Sequence, residues 1–444
     1  MSLPAAPAPD DVPAALVLGG AHGALAIVRS LARRGIAVSV LADHRLAHFS
    51  RYLRGRFAWD GPNAPGALDR LIALADRNHL AGAVLFAGGD AEVRFIAQNH
   101  AALARVFRLT TPAWDMAKEM LDKRLMHVRA AAAGLDAPRC HAPADRHAVG
   151  ELACRFPVVL KPRVRAQENT FTLAKAWRAD DRETLLARYD EAAALVGADG
   201  VLLQEWIPGG GEAQFSYAAV CDRGAPLAAL VARRRRQYPI DFGYTSTFVE
   251  TALCPEVEDA GRRFLAALGF TGLAEVEFKY DRRDGRYKIL DVNPRIWTWA
   301  ALGAPAGVDF PYLLWRLARG EPVEPVTACR QAAWMHASRD AIAAIEELLA
   351  GRLRPRDYLA SLKVPLAFSA FALDDPLPGL IELPLALLRA ATHRLPIVLR
   401  DFFSRIVLAD SPRETCDVSA ATADMPAPDR LAPMRPRASA DPAD

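Results

Sequence analysis

The feature that most constrains this 444-residue chain is a pair of alternating polar and apolar runs that meet at Asp284-Gly285. An Asp-Gly pair between two such runs is typical of a β-hairpin turn. Because side chains alternate between the faces of a strand, Glu275 and Glu277 share one face, as do Asp291 and Asn293 on the return strand. A hairpin that turns about residue 284 places Glu277 opposite Asp291 and Glu275 opposite Asn293.

Carboxylates that oppose each other on a sheet repel, so this register favours a cation between them. Donor sets made only of oxygen suit Mg²⁺, which keeps water ligands and takes substrate phosphates as its other ligands. We therefore predict that Glu277, Asp291 and Asn293 bind Mg²⁺, with Mn²⁺ as the alternative ion. The competing interpretation is a solvated polar face, because such faces are common in antiparallel sheets.

The chain divides into regions of different pattern. Before residue 117, strand-like and helical runs alternate, which predicts an open parallel sheet. Between 118 and 323, a helical run at 118–133 is followed by strands and helices without strict alternation, which predicts an α+β region with antiparallel sheets. Residues 324–409 are mostly helical in pattern. Residues 1–11 and 410–444 are rich in Pro, Ala and Asp, and we predict that they are disordered.

The run Asp291-Val292-Asn293-Pro294-Arg295, with an acid on the preceding strand, resembles the metal-binding signature of the ATP-grasp superfamily. Asp291 stands where that signature usually has glutamate. The resemblance implies an α/β and α+β fold: a pre-ATP-grasp, Rossmann-like parallel-sheet domain at 12–117, a two-lobed ATP-grasp domain at 118–323 and a helical C-terminal extension at 324–409. The segment at 232–246 resembles the ATP-grasp carboligase branch that includes D-aspartate ligases.

The resemblance also implies roles for residues upstream of the hairpin. Lys123 and Lys161 match lysines that contact the ATP phosphates, although a single lysine is usually a solvated surface residue. Glu212, after a run of glycines, matches the acid that holds the ribose hydroxyls. The adenine would be held at a hinge between the lobes, formed by Gln204, Glu205, Trp206 and Ile207.

Arginines supply the remaining predicted catalytic groups. Strand alternation would place Arg234 and Arg236 on one face, where they would meet the γ-phosphate or a substrate carboxylate. Arg295, just past the metal strand, is suited to the transferred phosphate or to an oxyanion. A partly solvated strand is the alternative for the arginine run. Nucleic-acid binding is not predicted, because the net charge is only +3.

The N-terminal glycine motif has two interpretations. Gly20 and Gly23 follow a strand and Asp43 lies twenty residues beyond Gly23, which suggests a dinucleotide-binding fingerprint. The fingerprint needs a further glycine at position 18, which is Leu18, so NAD binding is kept only as an alternative. We favour substrate contacts by Gly20, Gly23 and Asp90, because ligands bind at the carboxyl ends of parallel strands.

Together these features predict an ATP-dependent ligase that joins a small-molecule carboxylate to an amine through an acyl phosphate, releasing ADP and phosphate. A kinase, or a ligase that phosphorylates an enol or carbonyl, is the alternative enzyme. Leucine-rich stretches at 380–388 and 395–407 would cap the core, with a partner or membrane surface as the alternative. No transmembrane segment or cysteine pattern is evident, so the cytoplasm is the expected compartment, and a homodimer is left open.

Overall fold

The computed structural model describes residues 14–43, 46–164, 168–238, 245–389, 392 and 396–397. The predicted disorder of 1–11 and 410–444 lies outside these residues, as does most of the leucine-rich stretch at 395–407. The described elements belong to one compact unit, so the boundaries at 117 and 323 stay a prediction.

The N-terminal region is an open sheet of five parallel strands in the order β3-β2-β1-β4-β5. Every side chain of the central strand β1 is buried, as expected for a parallel sheet covered on both faces. The alternation of strand and helix predicted this sheet, although the sequence pattern did not reveal β3 or β5. The elements are β1 (Ala15–Leu18), α1 (His22–Ala32), β2 (Val38–Ala42), β3 (Leu53–Ala58), α2 (Ala67–Arg77), β4 (Val84–Ala87), α3 (Asp90–Gln98), α4 (His100–Leu103) and β5 (Arg108–Leu109).

Two helices, rather than the single predicted one, follow this sheet: α5 (Trp114–Leu121) and α6 (Lys123–Ala132). Asp122 separates them because its backbone is extended and its carboxylate caps α6, accepting hydrogen bonds from the Arg124 and Leu125 amides at 2.9 and 3.4 Å. The break puts Lys123 in the first turn of α6.

The second sheet has four antiparallel strands in the order β6-β9-β7-β8. Its apolar face packs on α9, whose Leu185 and Tyr189 are buried with Leu160 and Leu203. The elements are β6 (Cys140–His141), α7 (Arg146–Glu151), β7 (Val158–Pro162), α8 (Thr170–Ala174), β8 (Trp177–Ala179), α9 (Arg182–Val196) and β9 (Val201–Glu205).

The third sheet contains eight of the described strands, in the order β14-β13-β10-β11-β12-β16-β17, with β15 paired to β11. Short strands of the C-terminal region therefore extend this sheet, which the prediction of a mostly helical extension did not include. The elements are β10 (Gln214–Asp222), β11 (Ala225–Tyr238), β12 (Thr245–Thr251), α10 (Pro255–Ala267), β13 (Gly272–Asp281), β14 (Arg286–Asn293), α11 (Gly303–Ala306), α12 (Phe310–Ala318), β15 (Val326–Thr327), β16 (Ala333–Met335), α13 (Ala337–Leu349), α14 (Pro355–Ser361), β17 (Leu366–Phe368) and α15 (Leu377–Arg389).

The C-terminal region packs along one face of α1. Arg29 of α1 pairs with the buried Asp375 at 3.0 Å, and Arg33, one turn further along, pairs with Asp374 at 2.7 Å. On α15, Leu385 packs against the N-terminal core, whereas the outer leucines such as Leu380 are exposed. None of the described helices combines the length and apolar character needed to cross a membrane.

Candidate active site

The predicted hairpin is formed by β13 and β14, and its register agrees with the prediction at the end that carries the acids. Glu277 pairs with Asp291, and Glu275 pairs with Asn293. Between these pairs and the turn the register shifts by one residue, because a β-bulge leaves Leu290 without a partner on β13. Gly285 in the turn has a φ of +72°, a conformation that glycine adopts without strain.

Glu275, Glu277 and Asn293 form one hydrogen-bonded group on the hairpin. The Asn293 amide nitrogen donates to Glu275 Oε2 at 3.1 Å and to Glu277 Oε1 at 3.0 Å. Glu275 is buried and also accepts hydrogen bonds from the Ser216 hydroxyl and the Trp299 indole. Burial, together with the nearby charge of Glu277, raises the pKa of Glu275.

Two lysines from different elements approach the same acids. Lys123, at the start of α6, lies with its Nζ 2.6 Å from Asp291 Oδ1. Burial and the neighbouring Lys123 lower the pKa of Lys161, which lies on β7. The negative charges of Asp291 and Glu277 act in the opposite direction. The structure therefore brings together the two predicted phosphate-binding lysines and the two predicted metal-binding carboxylates.

Arg295 and Asp90 complete one side of this cleft. Arg295 Nε donates to Asp90 Oδ1 at 2.5 Å, and its Nη2 donates to Asn293 Oδ1 at 3.1 Å. Asp90 begins α3, at the carboxyl end of β4, where the sequence placed a substrate contact. The cleft between these groups is lined by Asp90, Arg94, Leu121, Lys123, Pro162, Arg163, Val164, Asp291, Val292 and Asn293.

The predicted pairing of Arg234 with Arg236 on one face is wrong. A β-bulge at Arg235 breaks the alternation of β11, so that these two arginines point to opposite faces. Arg234 Nη2 lies 3.4 Å from Glu277 Oε2 and faces the acids of the hairpin. Arg236 instead forms a buried ion pair with Asp340 of α13 at 2.8 Å.

The hinge residues span the end of β9, which ends at Glu205. Gln204 is buried, and its side-chain oxygen has no hydrogen-bond partner among the described residues. The Glu205 carboxylate accepts a hydrogen bond from Arg283 of the hairpin turn at 2.7 Å. Ile207 is buried. The Lys279 Nζ lies 4.9 Å from the centre of the Trp206 ring, a cation–π contact. Arg283 and Lys279 therefore tie the hinge to the hairpin.

Glu212 stands apart from the acids of the hairpin. It is exposed beside the glycine run, where its carboxylate accepts a hydrogen bond from the Gly210 amide at 2.9 Å. Burial lowers the pKa of Lys279 to about 8, and the nearby Glu212 carboxylate partly opposes this shift. The position next to the hinge is compatible with the predicted contact to a ribose.

The two glycines proposed as substrate contacts are buried. The carbonyl of Gly20 accepts a hydrogen bond from the Ala47 amide at 2.9 Å. A Cβ atom on Gly23 would lie 2.8 Å from Cγ2 of Ile296, so close packing alone accounts for glycine at this position. Substrate contacts by these glycines stay a prediction.

The donor set around the hairpin fits a hard cation, because it consists of oxygen atoms. Glu277 and Asp291 oppose each other, and at present each is paired with a cationic side chain. The Asn293 oxygen accepts from Arg295 while its nitrogen faces the carboxylates. Asn293 could therefore serve as a ligand only after its amide turns over.

Three titratable residues of this region were not among the predicted site residues. Glu275 is the buried third acid of the hairpin. His127 of α6 lies beside Lys161 and Lys123; both its ring nitrogens are buried without a partner, and its pKa is lowered to about 4, chiefly by burial. Burial raises the pKa of Glu92 to about 7 at the edge of the parallel sheet. Strand alternation placed Glu275 on the acidic face, but spacing cannot reveal the burial that shifts the pKa of each of these groups.

Known structures share this fold. The chain superposes on the biotin carboxylase–βγ-ATP complex of Campylobacter jejuni with a TM-score of 0.56 and 15% identity, covering 70% of this chain and 72% of that one. For L-amino acid ligase of Bacillus licheniformis the values are 0.55 and 16%, covering 72% and 78%. For N5-carboxyaminoimidazole synthetase of Staphylococcus aureus they are 0.57 and 11%, covering 77% and 86%.

Sequence similarity is confined to a short stretch. Over 82 residues the chain is 37% identical to acetyl-CoA carboxylase 2 of Oryza sativa subsp. japonica, which covers 17% of this chain and 4% of that protein. The same length is 34% identical to acetyl-CoA carboxylase 1 of that organism. No protein-family model matches the chain. The sheets, their order and the similar structures show that this chain has the ATP-grasp fold, with a parallel sheet at its N-terminal end.

Proposed function

We propose that this protein is an ATP-dependent ligase that activates a small-molecule carboxylate as an acyl phosphate and transfers the acyl group to an amine. The observation that carries the proposal is that four elements, α6, β7, β13 and β14, bring together Lys123, Lys161, Glu277 and Asp291. Two cations beside two carboxylates are what a nucleotide phosphate and its metal ion require.

The two lysines bind the phosphates in this proposal. Lys123 and Asp291 pair with each other, and their side chains are 9% and 26% exposed, so a nucleotide and its metal can reach the pair. When ATP binds, Lys123 turns from Asp291 to a phosphate and frees that carboxylate as a ligand. A Mg²⁺ ion held by Glu277 and Asp291 would neutralise the charge that develops on the transferred phosphoryl group.

The reaction proceeds in two steps. A carboxylate oxygen of the substrate forms a bond to the γ-phosphorus of ATP, the bond to the bridging oxygen breaks, and ADP leaves. The amine then attacks the acyl carbon, the carbon–oxygen bond to phosphate breaks, and inorganic phosphate leaves while the nitrogen loses a proton. Arg295 and Arg234 flank the acids, so their guanidinium groups are placed to stabilise the phosphoryl oxygens and the oxyanion.

The similar structures support the nucleotide part of this proposal. One is a biotin carboxylase complex with βγ-ATP, and another is a biotin carboxylase domain in complex with MgADP and bicarbonate. A third is the L-amino acid ligase of Bacillus licheniformis, and an amino acid carries both a carboxylate and an amine, the two groups that the proposed reaction joins. At identities of 15–17% these likenesses carry the fold, and the substrates come from the proposal.

The packing of the N-terminal glycine motif argues against dinucleotide binding. In a dinucleotide fold the glycines let the pyrophosphate approach the first helix closely. Here Ile296 packs directly on Gly23, and the Glu382 carboxylate lies beside His22 in the first turn of α1. A second anion at this helix end would meet a buried apolar contact and a like charge.

The proposal is tested by measuring ADP release with Mg-ATP over a matrix of small carboxylic acids and amines. We expect turnover that needs both substrates, and a loss of at least about 10²-fold in the Asp291→Ala variant. Asp284→Ala is the matched control, because it removes a carboxylate from the same hairpin at a site 42% exposed near the turn. It should retain wild-type turnover.

Three outcomes would contradict the proposal. Undiminished turnover in Asp291→Ala would refute the metal assignment. Phosphate transfer to the acid or another acceptor without any need for an amine would identify a kinase instead. Absence of both Mg-ATP binding by calorimetry and ADP release with every pair would refute an ATP-dependent function.

A further inference from the structure

A group of metal-binding side chains lies away from the nucleotide cleft, where the C-terminal region meets α1. Within the described residues, His22, His336 and Glu382 are grouped so that one possible ligand atom of each lies within 4.8 Å of the other two. His22 is in the first turn of α1, His336 precedes α13, and Glu382 is on α15. The group thus joins three elements that are far apart in the chain.

The contacts within the group leave a nitrogen unsatisfied. His22 Nε2 lies 2.5 Å from Glu382 Oε1, and His336 Nε2 lies 3.4 Å from the same oxygen. The side chain of His336 is only 3% exposed, yet its Nε2 makes no hydrogen bond to any residue that the structure describes. A buried ring nitrogen without a partner is costly, and a bound cation is one of the few ways to satisfy it.

Two serine hydroxyls contact the proposed ligands, as hydrogen-bonding neighbours of metal ligands usually do. The Ser338 hydroxyl lies 3.4 Å from Nδ1 of His336, and in the tautomer in which Nδ1–H donates to this oxygen, the lone pair of Nε2 is free for a metal. The Ser369 hydroxyl donates to Glu382 Oε1 at 3.3 Å. The side chains of His22 and Glu382 are 15% and 13% exposed, so solvent reaches one side of the group.

We propose that His22, His336 and Glu382 form a binding site for a transition-metal ion, with Zn²⁺ as the ion that suits it best. Two imidazoles and one carboxylate are a common set of three zinc ligands, and the open side supplies a fourth position for water. Zinc ligands at about 2.0–2.2 Å from the ion lie roughly 3.3 Å from one another. Glu382 Oε1 lies 2.5 Å from His22 Nε2 and 3.4 Å from His336 Nε2, on either side of that value, so small shifts of the side chains would bring the ligand atoms to the ion.

The site would fasten the C-terminal region to the N-terminal sheet. His22 lies on the same face of α1 as Arg29 and Arg33, which pair with Asp375 and Asp374. A metal at His22 extends this row of contacts to α15, through Glu382. The proposal is independent of the nucleotide site, because none of the three ligands lines that cleft.

The test uses the full-length protein, stripped with a chelator and titrated with Zn²⁺ against a chromophoric competitor. We expect one tightly bound Zn²⁺ per chain and a higher thermal unfolding midpoint when Zn²⁺ is present. Excess Mg²⁺ should not displace the ion, and Co²⁺ should give the visible absorption of a tetrahedral site. Each of His22→Gln, His336→Gln and Glu382→Gln should weaken zinc binding at least about tenfold.

Two control variants make the result specific. His147→Gln removes a histidine whose side chain is 80% exposed on α7, and Asp291→Ala changes the nucleotide cleft; both should bind zinc as the wild type does. Circular dichroism checks that each variant is folded. Absence of zinc binding by the wild type, or equal affinity in the three ligand variants, would overturn the proposal. The thermal shift of the wild type decides the matter if a ligand variant fails to fold.

Discussion

Replacing Arg236 by methionine should cost the protein much of its stability and leave catalysis in the folded molecules intact. Asp340 is completely buried, and it accepts hydrogen bonds from Arg236 Nε at 2.9 Å, Arg236 Nη2 at 2.8 Å and Thr247 at 2.9 Å. The guanidinium also lies 4.2 Å from the centre of the Phe248 ring and 4.9 Å from that of Tyr358. Without Arg236, a buried carboxylate loses its counter-charge.

The magnitude follows from that burial. Removing one partner of a buried ion pair costs about 3–5 kcal/mol, a large part of the roughly 5–15 kcal/mol that stabilises a typical protein. Arg234 provides the matched variant, since its 3.4 Å contact with Glu277 is partly exposed and should contribute no more than about 1 kcal/mol. Arg234→Met should instead lower turnover, by about 10²–10³-fold if its guanidinium stabilises the transferred phosphate.

Urea unfolding followed by tryptophan fluorescence, together with ADP release per folded molecule, separates the two arginines. The double variant Arg236→Met/Asp340→Leu should be less destabilised than the sum of its single variants by about 0.5–3 kcal/mol, because it leaves no unpaired charge. Equal unfolding midpoints for the wild type and Arg236→Met would refute this reasoning. A selective loss of turnover in Arg236→Met, with stability unchanged, would restore the role that strand alternation suggested.

Three further predictions follow from single contacts. Lys161→Met should weaken ATP binding about 10–100-fold in calorimetry, since it removes a charged hydrogen bond to phosphate; unchanged affinity would contradict the proposed role. Hydrogen bonds led by Arg283 hold the pKa of Asp281 well below its ordinary value, so its carboxylate stabilises the fold above about pH 4, and this contribution is lost as pH falls further. The urea midpoint of Asp281→Asn should therefore lie below that of the wild type at pH 7, with a smaller difference at pH 3; a constant difference would contradict this. Gly261→Ala puts a Cβ 2.4 Å from the Tyr217 ring and should cost about 1–3 kcal/mol in urea unfolding, whereas a stabilised variant would show that α10 shifts freely.

The hairpin shows how far local pattern reaches. An Asp-Gly turn between alternating runs was sufficient to predict β13 and β14 and the pairing of Glu277 with Asp291. The sequence pattern did not reveal the bulge at Leu290, which shifts the register by one residue. The same limit explains the error at β11, where the bulge at Arg235 turned Arg236 towards α13. A bulge depends on what packs against a strand, and alternation alone contains no such information.

Burial and distant partners set the other limits. The predicted helix at 118–133 is broken at Asp122, whose capping carboxylate gives a recognisable but ambiguous signal. The raised pKa of Glu275 and the lowered pKa of His127 both come chiefly from burial, which a single chain position does not display. In the group of His22, His336 and Glu382, the first and last residues are 360 positions apart in the chain, so no local sequence motif could predict it.

The amino-acid sequence by itself determined the alternating strands and helices of the N-terminal sheet and the acidic hairpin. It also determined that Lys123 lies near the start of a helix and Lys161 near the end of a strand. These follow from propensity and periodicity, which act over a few residues. Only the tertiary structure decided which of those groups meet, that Arg234 faces the acids while Arg236 supports α13, and that the C-terminal region closes over α1. The reason is physical: contacts between distant residues depend on the packing of whole elements, where shape and burial outweigh local preference.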